Sequence, residues 1–200
     1  MKEVKNRFYY WIRRIVGPIF MLLFPLDVRG LEHFPQEPVV LCGNHSNALD
    51  PLMVVCAQRS EFPLRIMAKQ QLMKVPVVGW FIRKMGAFGV DRGNSDINAI
   101  KTAIRSLREG YNLLIFPEGT RVKEGEKVEV KGGAAMIAIR SGVKLMPMYI
   151  DRKKKLFRKT RIIFGRPYEP MYTGRKGTAE EYQANADEIM RQIYELGETE

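Results

Sequence analysis

Residues 38–51 read Pro38-Val39-Val40-Leu41-Cys42-Gly43-Asn44-His45-Ser46-Asn47-Ala48-Leu49-Asp50-Pro51. The first five are an apolar run, rich in β-branched side chains and opened by a turn residue, which predicts a strand buried on both faces as in a parallel sheet. Asp50 then caps a helix with Pro51 at its first position, where a missing N–H costs nothing, and Leu52 to Ala57 supply its apolar body. Strand, loop and helix in that order are the building unit of α/β folds, which place their chemistry on loops leaving the strand ends.

The alternation continues on the C-terminal side. Leu64 to Ala68 predicts a strand, Met73 to Met85 a helical or irregular apolar stretch, and Ala87 to Val90 a short strand. Ile97, Ile100, Ile104 and Leu107 recur at helical spacing, with Asn94 or Ser95 as cap and Gly110 just past the end. Asn112 to Phe116 is the next buried strand, Ala134 to Arg140 a helix, and Lys144 to Ile150 and Arg161 to Phe164 further strands. Thr178 and Glu181 form a capping box ahead of a helix with Tyr182, Ala186, Ile189 and Ile193 on one face. No repeat, low-complexity tract or linker interrupts the pattern, so the expected fold is α/β, a single-domain mixed sheet flanked by helices.

Two hundred residues suffice for one core without disulfides or a structural metal, and 46% hydrophobic with 28% charged residues excludes a disordered or polytopic chain. Cys42 and Cys56 lack the spacing of a zinc ribbon or redox pair, and two thiols among apolar neighbours suit a reducing compartment. The net charge of +11 requires a partner of opposite sign, whether nucleic acid, anionic lipid or an acidic carrier. Its densest run is Arg152, Lys153, Lys154, Lys155, Arg158, Lys159 and Arg161, which reads equally well as a solvated loop or a binding patch. Zinc-finger spacing, an RRM signature and a basic base-reading helix are all missing, so no nucleic-acid partner is expected.

Residues 8–26 are strongly apolar but broken by Arg13, Arg14 and Pro18, leaving Ile15 to Leu26 as the longest uncharged run. That is well short of the roughly 20 residues a helix needs to cross a bilayer. Aromatics at one end, with Lys2, Lys5, Arg7, Arg13 and Arg14 against Glu3, suit an interface helix drawn to an anionic membrane surface. A signal peptide lacks its cleavage site in Pro25-Leu26-Asp27-Val28-Arg29, and a helix packed on the core is the other alternative. The expected organisation is a membrane-interface anchor over residues 1–27 and the α/β domain over 28–200, held at the cytoplasmic face as a peripheral or monotopic protein. The apolar stretch Val75 to Ile82 serves equally as core, lipid contact or groove lining.

Of two histidines, His33 sits in an expected loop with only Glu32 beside it, whereas His45 leaves a strand with an acid five positions later. On a regular helix that spacing separates the side chains, but a loop that doubles back brings them together. A carboxylate accepting from one imidazole nitrogen leaves the other as a general base. Asp50 alone reads as a helix cap, and Cys42, inside an apolar strand, as a core residue.

The string from Asn44 to Pro51 resembles the first signature of the glycerolipid acyltransferase family that includes the bacterial 1-acylglycerol-3-phosphate acyltransferases. Four later segments are similar to that family's motifs in order: Lys69 in Ala68-Lys69-Gln70-Gln71-Leu72, Gly86-Ala87-Phe88-Gly89-Val90-Asp91-Arg92, Phe116-Pro117-Glu118-Gly119-Thr120-Arg121, and Leu145-Met146-Pro147-Met148. Asn47 stands where the family usually has serine, with Ser46 one place early, and Gly89 where a bulkier residue is common. Independently of the resemblance, Arg121 follows a strand and a glycine turn and presents a planar fork suited to phosphate oxygens; by itself it reads more commonly as a solvated arginine, and its partnership with His45 is what favours phosphate.

The resemblance implies transfer of a fatty acyl group from acyl-CoA or acyl carrier protein to the free hydroxyl of 1-acylglycerol 3-phosphate, with no metal and no cofactor beyond the thioester co-substrate. It implies His45 and Asp50 as the catalytic pair, Arg121, Lys69, Arg92 and Lys131 as phosphate ligands, and Glu118 and Gly119 at the acceptor. Another hydroxylated lipid or glycerol 3-phosphate as acceptor, or a non-catalytic anionic-lipid-binding module, are the alternatives.

Overall fold

The structure, a computed structural model, describes residues 6–91, 96–122 and 130–199. Along β2 (Val40–Gly43), Leu41 enters one apolar layer while Val40 and Cys42 enter the other, all fully buried. β6 (Leu145–Ile150) divides likewise, Met146, Met148 and Ile150 against Leu145. Successive strand side chains point to opposite faces, so runs apolar at every position require cover on both sides.

On one side that cover is α3 (Asp50–Ala57), α5 (Pro76–Lys84) and the N-terminal helical segment; on the other it is α6 (Ile97–Arg108), α7 (Gly133–Ser141) and α8 (Ala179–Glu198). With β5 (Asn112–Ile115), β3 (Leu64–Lys69), β4 (Ala87–Val90), β1 (Leu26–Arg29) and β7 (Thr160–Phe164), the sheet is ordered β1-β7-β6-β2-β5-β3-β4. β2 to β6 are mutually parallel, while β7 is antiparallel to β6 and parallel to β1. The sheet is therefore mixed, as expected. The loops after β2, β3, β5 and β6 and the start of β7 therefore lie at the same end of the sheet, the C-terminal ends of its parallel strands.

Element by element the expected pattern holds with small shifts. Met73 to Met85 is two helices, α4 (Gln70–Lys74) and α5. The cap of α6 is Asp96, whose side chain accepts from Ala99 N–H at 2.9 Å; Asn94 and Ser95 lie outside the described residues. The capping box of Thr178 and Glu181 is formed at α8. β1 was not anticipated, and the boundary drawn after residue 27 falls inside it.

The N-terminal segment comprises α1 (Arg7–Trp11), a π-helical turn at Ile12–Val16 and α2 (Gly17–Leu23). Gly17 N–H bonds to Ile12 O across the wide turn, directly before Pro18, whose ring cannot continue the ordinary ladder. Tyr9, Ile12 and Phe20 are buried in the main core, and the buried Tyr9 hydroxyl accepts from Gln58 Nε2 at 2.8 Å. Trp11, Ile15, Ile19 and Leu22, spaced by four, four and three, form an exposed apolar stripe on the other side. α5 is similarly divided: Phe81 and Ile82 pack on the core, Val77, Val78 and Trp80 are exposed, and Phe8 of α1 meets the Trp80 ring edge-on at 5.8 Å. Among the described residues, no helix is long and apolar enough to cross a membrane.

Candidate active site

β2 delivers the chain to the C-terminal end of the parallel strands and Asn44 prolongs its pairing with a side chain: Nδ2 donates to Ile150 O at 2.9 Å and Oδ1 accepts from Ile150 N–H at 2.8 Å. This buried clasp ends the strand in a fixed place, and the loop then doubles back. Asp50 N–H donates to Asn47 O at 3.1 Å and Leu49 N–H to Asn47 Oδ1 at 3.0 Å. The turn explains how a separation of five residues becomes a contact: His45 Nδ1 lies 3.0 Å from Asp50 Oδ2. A carboxylate can only accept, so Nδ1 carries the proton and the lone pair is left on Nε2.

Asp50 is the first residue of α3 rather than its cap, and its carboxylate faces back into the loop. Oδ2 also accepts from Ser46 and Asn47 N–H, each at 2.8 Å, while Oδ1 pairs with Lys154 Nζ at 2.6 Å. Both charged side chains are out of solvent, at 0% exposure for Asp50 and 1% for Lys154. Lys154 donates as well to Ser46 Oγ at 2.6 Å, so Ser46 and Asn47, the positions that depart from the family pattern, are both tied to this cluster.

Burial alone would raise the Asp50 carboxyl pKa, but the His45 hydrogen bond, the Lys154 charge and hydrogen bond and the Asn47 N–H together outweigh it and hold it below the ordinary value of 3.8. Burial also holds the Lys154 ammonium below the usual lysine value despite the attraction of Asp50. A depressed carboxyl contributes stability that is present above the unfolded-state pKa and is lost as pH falls through the folded one. Denaturant midpoints measured from pH 5 downward are therefore expected to drop more steeply below 3.8 in the parent protein than in Asp50→Asn.

The His45 ring stacks on Phe116 with centroids 4.2 Å apart and planes 21° from parallel, and its side chain keeps 13% exposure. Its backbone is clamped from both sides. His45 N–H donates to Glu118 Oε2 at 2.7 Å, and His45 O accepts from Val122 N–H at 2.9 Å. Glu118 Oε1 accepts from Tyr194 OH at 2.6 Å; burial first and then this carboxylate push the tyrosine up to about 12. Glu118 is thus buried with both oxygens held by the protein, fixing the loop that carries the imidazole. Gly119 turns with φ +66°, in the left-handed region that favours glycine over residues with a bulky side chain.

Three of the remaining expected site residues are described. Arg121 is exposed and adjoins Val122, which bonds to His45. Lys131 is exposed, with its N–H 3.5 Å from Pro117 O, and Lys69 is exposed at the end of β3, two strands from β2. Arg92 lies outside the described residues. A side chain at Gly89 would meet Gln70 Oε1 at 1.7 Å, so glutamine occupies the space of the bulkier residue common there.

His33 is structural, its Nδ1 2.9 Å from Phe164 O. Cys42 and Cys56 are buried, and burial pushes both thiols up, Cys56 to about 11, which removes them as nucleophiles.

The residue that sequence reasoning missed is Lys154. The basic run is neither wholly solvated nor wholly a patch: Arg152 donates to Val122 O at 2.8 Å, Lys154 pairs with Asp50, and Arg161 pairs with Asp151 at 3.2 Å. The available signal was position. The run directly follows β6, the strand beside β2, so its first residues had to land next to the loop of His45.

Residues 25–151 match the profile of the family described as Acyltransferase. The 1-acyl-sn-glycerol-3-phosphate acyltransferase of Bacillus subtilis is 34% identical over 195 residues, 94% of this chain and 96% of its own length. The lyso-ornithine lipid O-acyltransferase of Pseudomonas aeruginosa is 30% identical over 148 residues, 72% of this chain and 53% of its own. Most of the curated relatives matched are longer, and the chain spans about half their length. The crystal structure of the 1-acyl-sn-glycerophosphate (LPA) acyltransferase from Thermotoga maritima superposes with a TM-score of 0.72 over 96% of this chain and 80% of that one, at 24% identity, which establishes a shared fold. With the profile spanning most of the chain and the B. subtilis relative matching nearly end to end, this protein belongs to the acyltransferase family.

Proposed function

We propose that the protein transfers a fatty acyl group from acyl-CoA or acyl carrier protein to the sn-2 hydroxyl of 1-acylglycerol 3-phosphate, forming phosphatidic acid for phospholipid synthesis at the cytoplasmic face of a membrane. The observation that carries this reading is the 3.0 Å pairing of His45 Nδ1 with a buried carboxylate, which leaves Nε2 as the base in a partly exposed ring at the strand ends. Nε2 takes the hydroxyl proton as the oxygen attacks the thioester carbonyl. The tetrahedral intermediate collapses with cleavage of the C–S bond, and the departing thiolate receives the proton from the imidazolium. Asp50 holds the tautomer and stabilises the cation. Arg121, Lys69 and Lys131, with Arg92, bind the acceptor phosphate as charge-assisted donors. Glu118 and Gly119 serve the acceptor indirectly, by shaping the loop between Arg121 and His45.

The exposed stripe of Trp11, Ile15, Ile19 and Leu22 supports residues 1–27 as the membrane anchor, with its inner face locked to the domain. A panel of acceptors with both thioester donors, read by mass spectrometry of the product, tests the assignment. Acylated product is expected with lysophosphatidic acid, and substitution of Arg121 by alanine is expected to raise KM for that acceptor more than for one without phosphate. Liposome binding without transfer from any donor would leave only a lipid-binding module. The P. aeruginosa relative named for lyso-ornithine lipid makes a phosphate-free acceptor the necessary comparison.

A further inference from the structure

The loop between β6 and β7 has two sides. Arg152 and Lys154 are drawn inward by backbone and carboxylate partners, and Lys154 reaches the catalytic carboxylate itself. At its tip, Leu156 and Phe157 are 56% and 69% exposed, flanked by the exposed cations Lys155, Arg158 and Lys159. Phe157 has φ +58° and is the one non-glycine residue with positive φ among those described. Bulky side chains rarely occupy that region, and neither exposure nor strain benefits a solvated loop.

The tip is also continuous with the proposed anchor. Phe157 N–H donates to Leu23 O at 2.7 Å, joining it to the end of the helix whose outer stripe includes Leu22. Two apolar side chains ringed by lysine and arginine, beside an apolar helix face, match an anionic bilayer, whose headgroups attract the cations while its acyl boundary takes the leucine and phenylalanine.

We propose that the β6–β7 loop is a second membrane-inserting element, with Leu156 and Phe157 entering an anionic bilayer beside the N-terminal helix. The opposite side of the same loop holds Lys154 against Asp50, so the loop sets the height of the catalytic pair above the lipid from which the acceptor comes. This rests on the reading of the N-terminal segment as an anchor, and the experiment separates the two.

The native cysteines are buried, so a cysteine introduced at the surface takes an environment-sensitive fluorophore selectively. Labelled Phe157→Cys, Leu22→Cys and, on the opposite face of the sheet, Lys101→Cys proteins would be mixed with vesicles of phosphatidylcholine and phosphatidylglycerol. Blue shifts at positions 157 and 22 but not 101 are expected. A shift at 22 without one at 157 overturns the loop's insertion and leaves the anchor standing; no shift at either removes both; equal shifts at all three mean indiscriminate adsorption and also overturn it. In the unlabelled full chain, Leu156→Ser with Phe157→Asn is expected to weaken vesicle partitioning roughly tenfold. Its thermal midpoint should hold or rise, because asparagine tolerates positive φ. Unchanged partitioning, or a self-association abolished by the same pair of substitutions without any effect on vesicles, would contradict the proposal.

Discussion

Replacing His45 with glutamine is expected to reduce kcat for acyl transfer by roughly 10²–10⁴-fold, the range that a positioned general base contributes. KM for the acceptor should change little, because the phosphate is assigned to Arg121 and its neighbours and the imidazole acts as proton transfer begins. Glutamine keeps a planar group near Phe116, and the Glu118 and Val122 bonds use only the His45 backbone, so the denaturation midpoint should stay close to that of the parent. A steady-state comparison settles the point. Retained kcat would place the base elsewhere, whereas a collapse of stability would leave the kinetic loss without mechanistic meaning.

The second large effect belongs to Lys154. Methionine there fills a similar volume but leaves Asp50, at 0% exposure, as a buried charge without its cation. Breaking one side of a buried pair in this way costs about 3–5 kcal/mol, because the surviving charge keeps its hydrogen bonds from residues 45–47 but has lost its ionic partner and cannot reach water. Urea denaturation of Lys154→Met is expected to show that loss, and Lys154→Met with Asp50→Asn to recover a substantial part of it, since no uncompensated charge then remains. Additive losses in the double variant would mean that the 2.6 Å contact carries no coupling. The recovery should be one of stability alone: activity should stay low in the double variant, as an amide at position 50 no longer offers the imidazole a carboxylate.

These expectations divide along what a linear sequence reveals. The layered sheet was legible because period-two burial on both faces produces unbroken apolar runs such as Val39 to Cys42, and helix ends were legible through local chemistry such as Thr178 with Glu181. β1 was hidden, since its four residues between Pro25 and Gly30 hold only two apolar side chains, Leu26 and Val28, too short an alternation to stand apart from the apolar tract before it. The reversed direction of β1 and β7 has no local signature at all. The N-terminal segment read ambiguously because both its faces are apolar, one buried against the core and one exposed.

Within the site, His45 and Asp50 could be paired from the sequence only by assuming a loop that doubles back, and the Asn47 turn supplies it. The position of Glu118 was legible but its engagement was not, because its partners are the backbone of residue 45 and a hydroxyl 76 residues away. Lys154 was lost among its neighbours. In a run of seven cations nothing marks the one that turns inward, and only the adjacency of β6 to β2 gives it a carboxylate to meet.

The whole mechanism depends on a lone pair at His45 Nε2, and the chain's two histidines make it directly observable. Long-range proton–nitrogen correlation spectra of the 15N-labelled protein at the pH of maximal activity should show, for the signals lost in His45→Gln, a protonated Nδ1 and a pyridine-like Nε2. A His45 ring with its proton on Nε2, or protonated on both nitrogens at that pH, would contradict the assignment of this imidazole as the base.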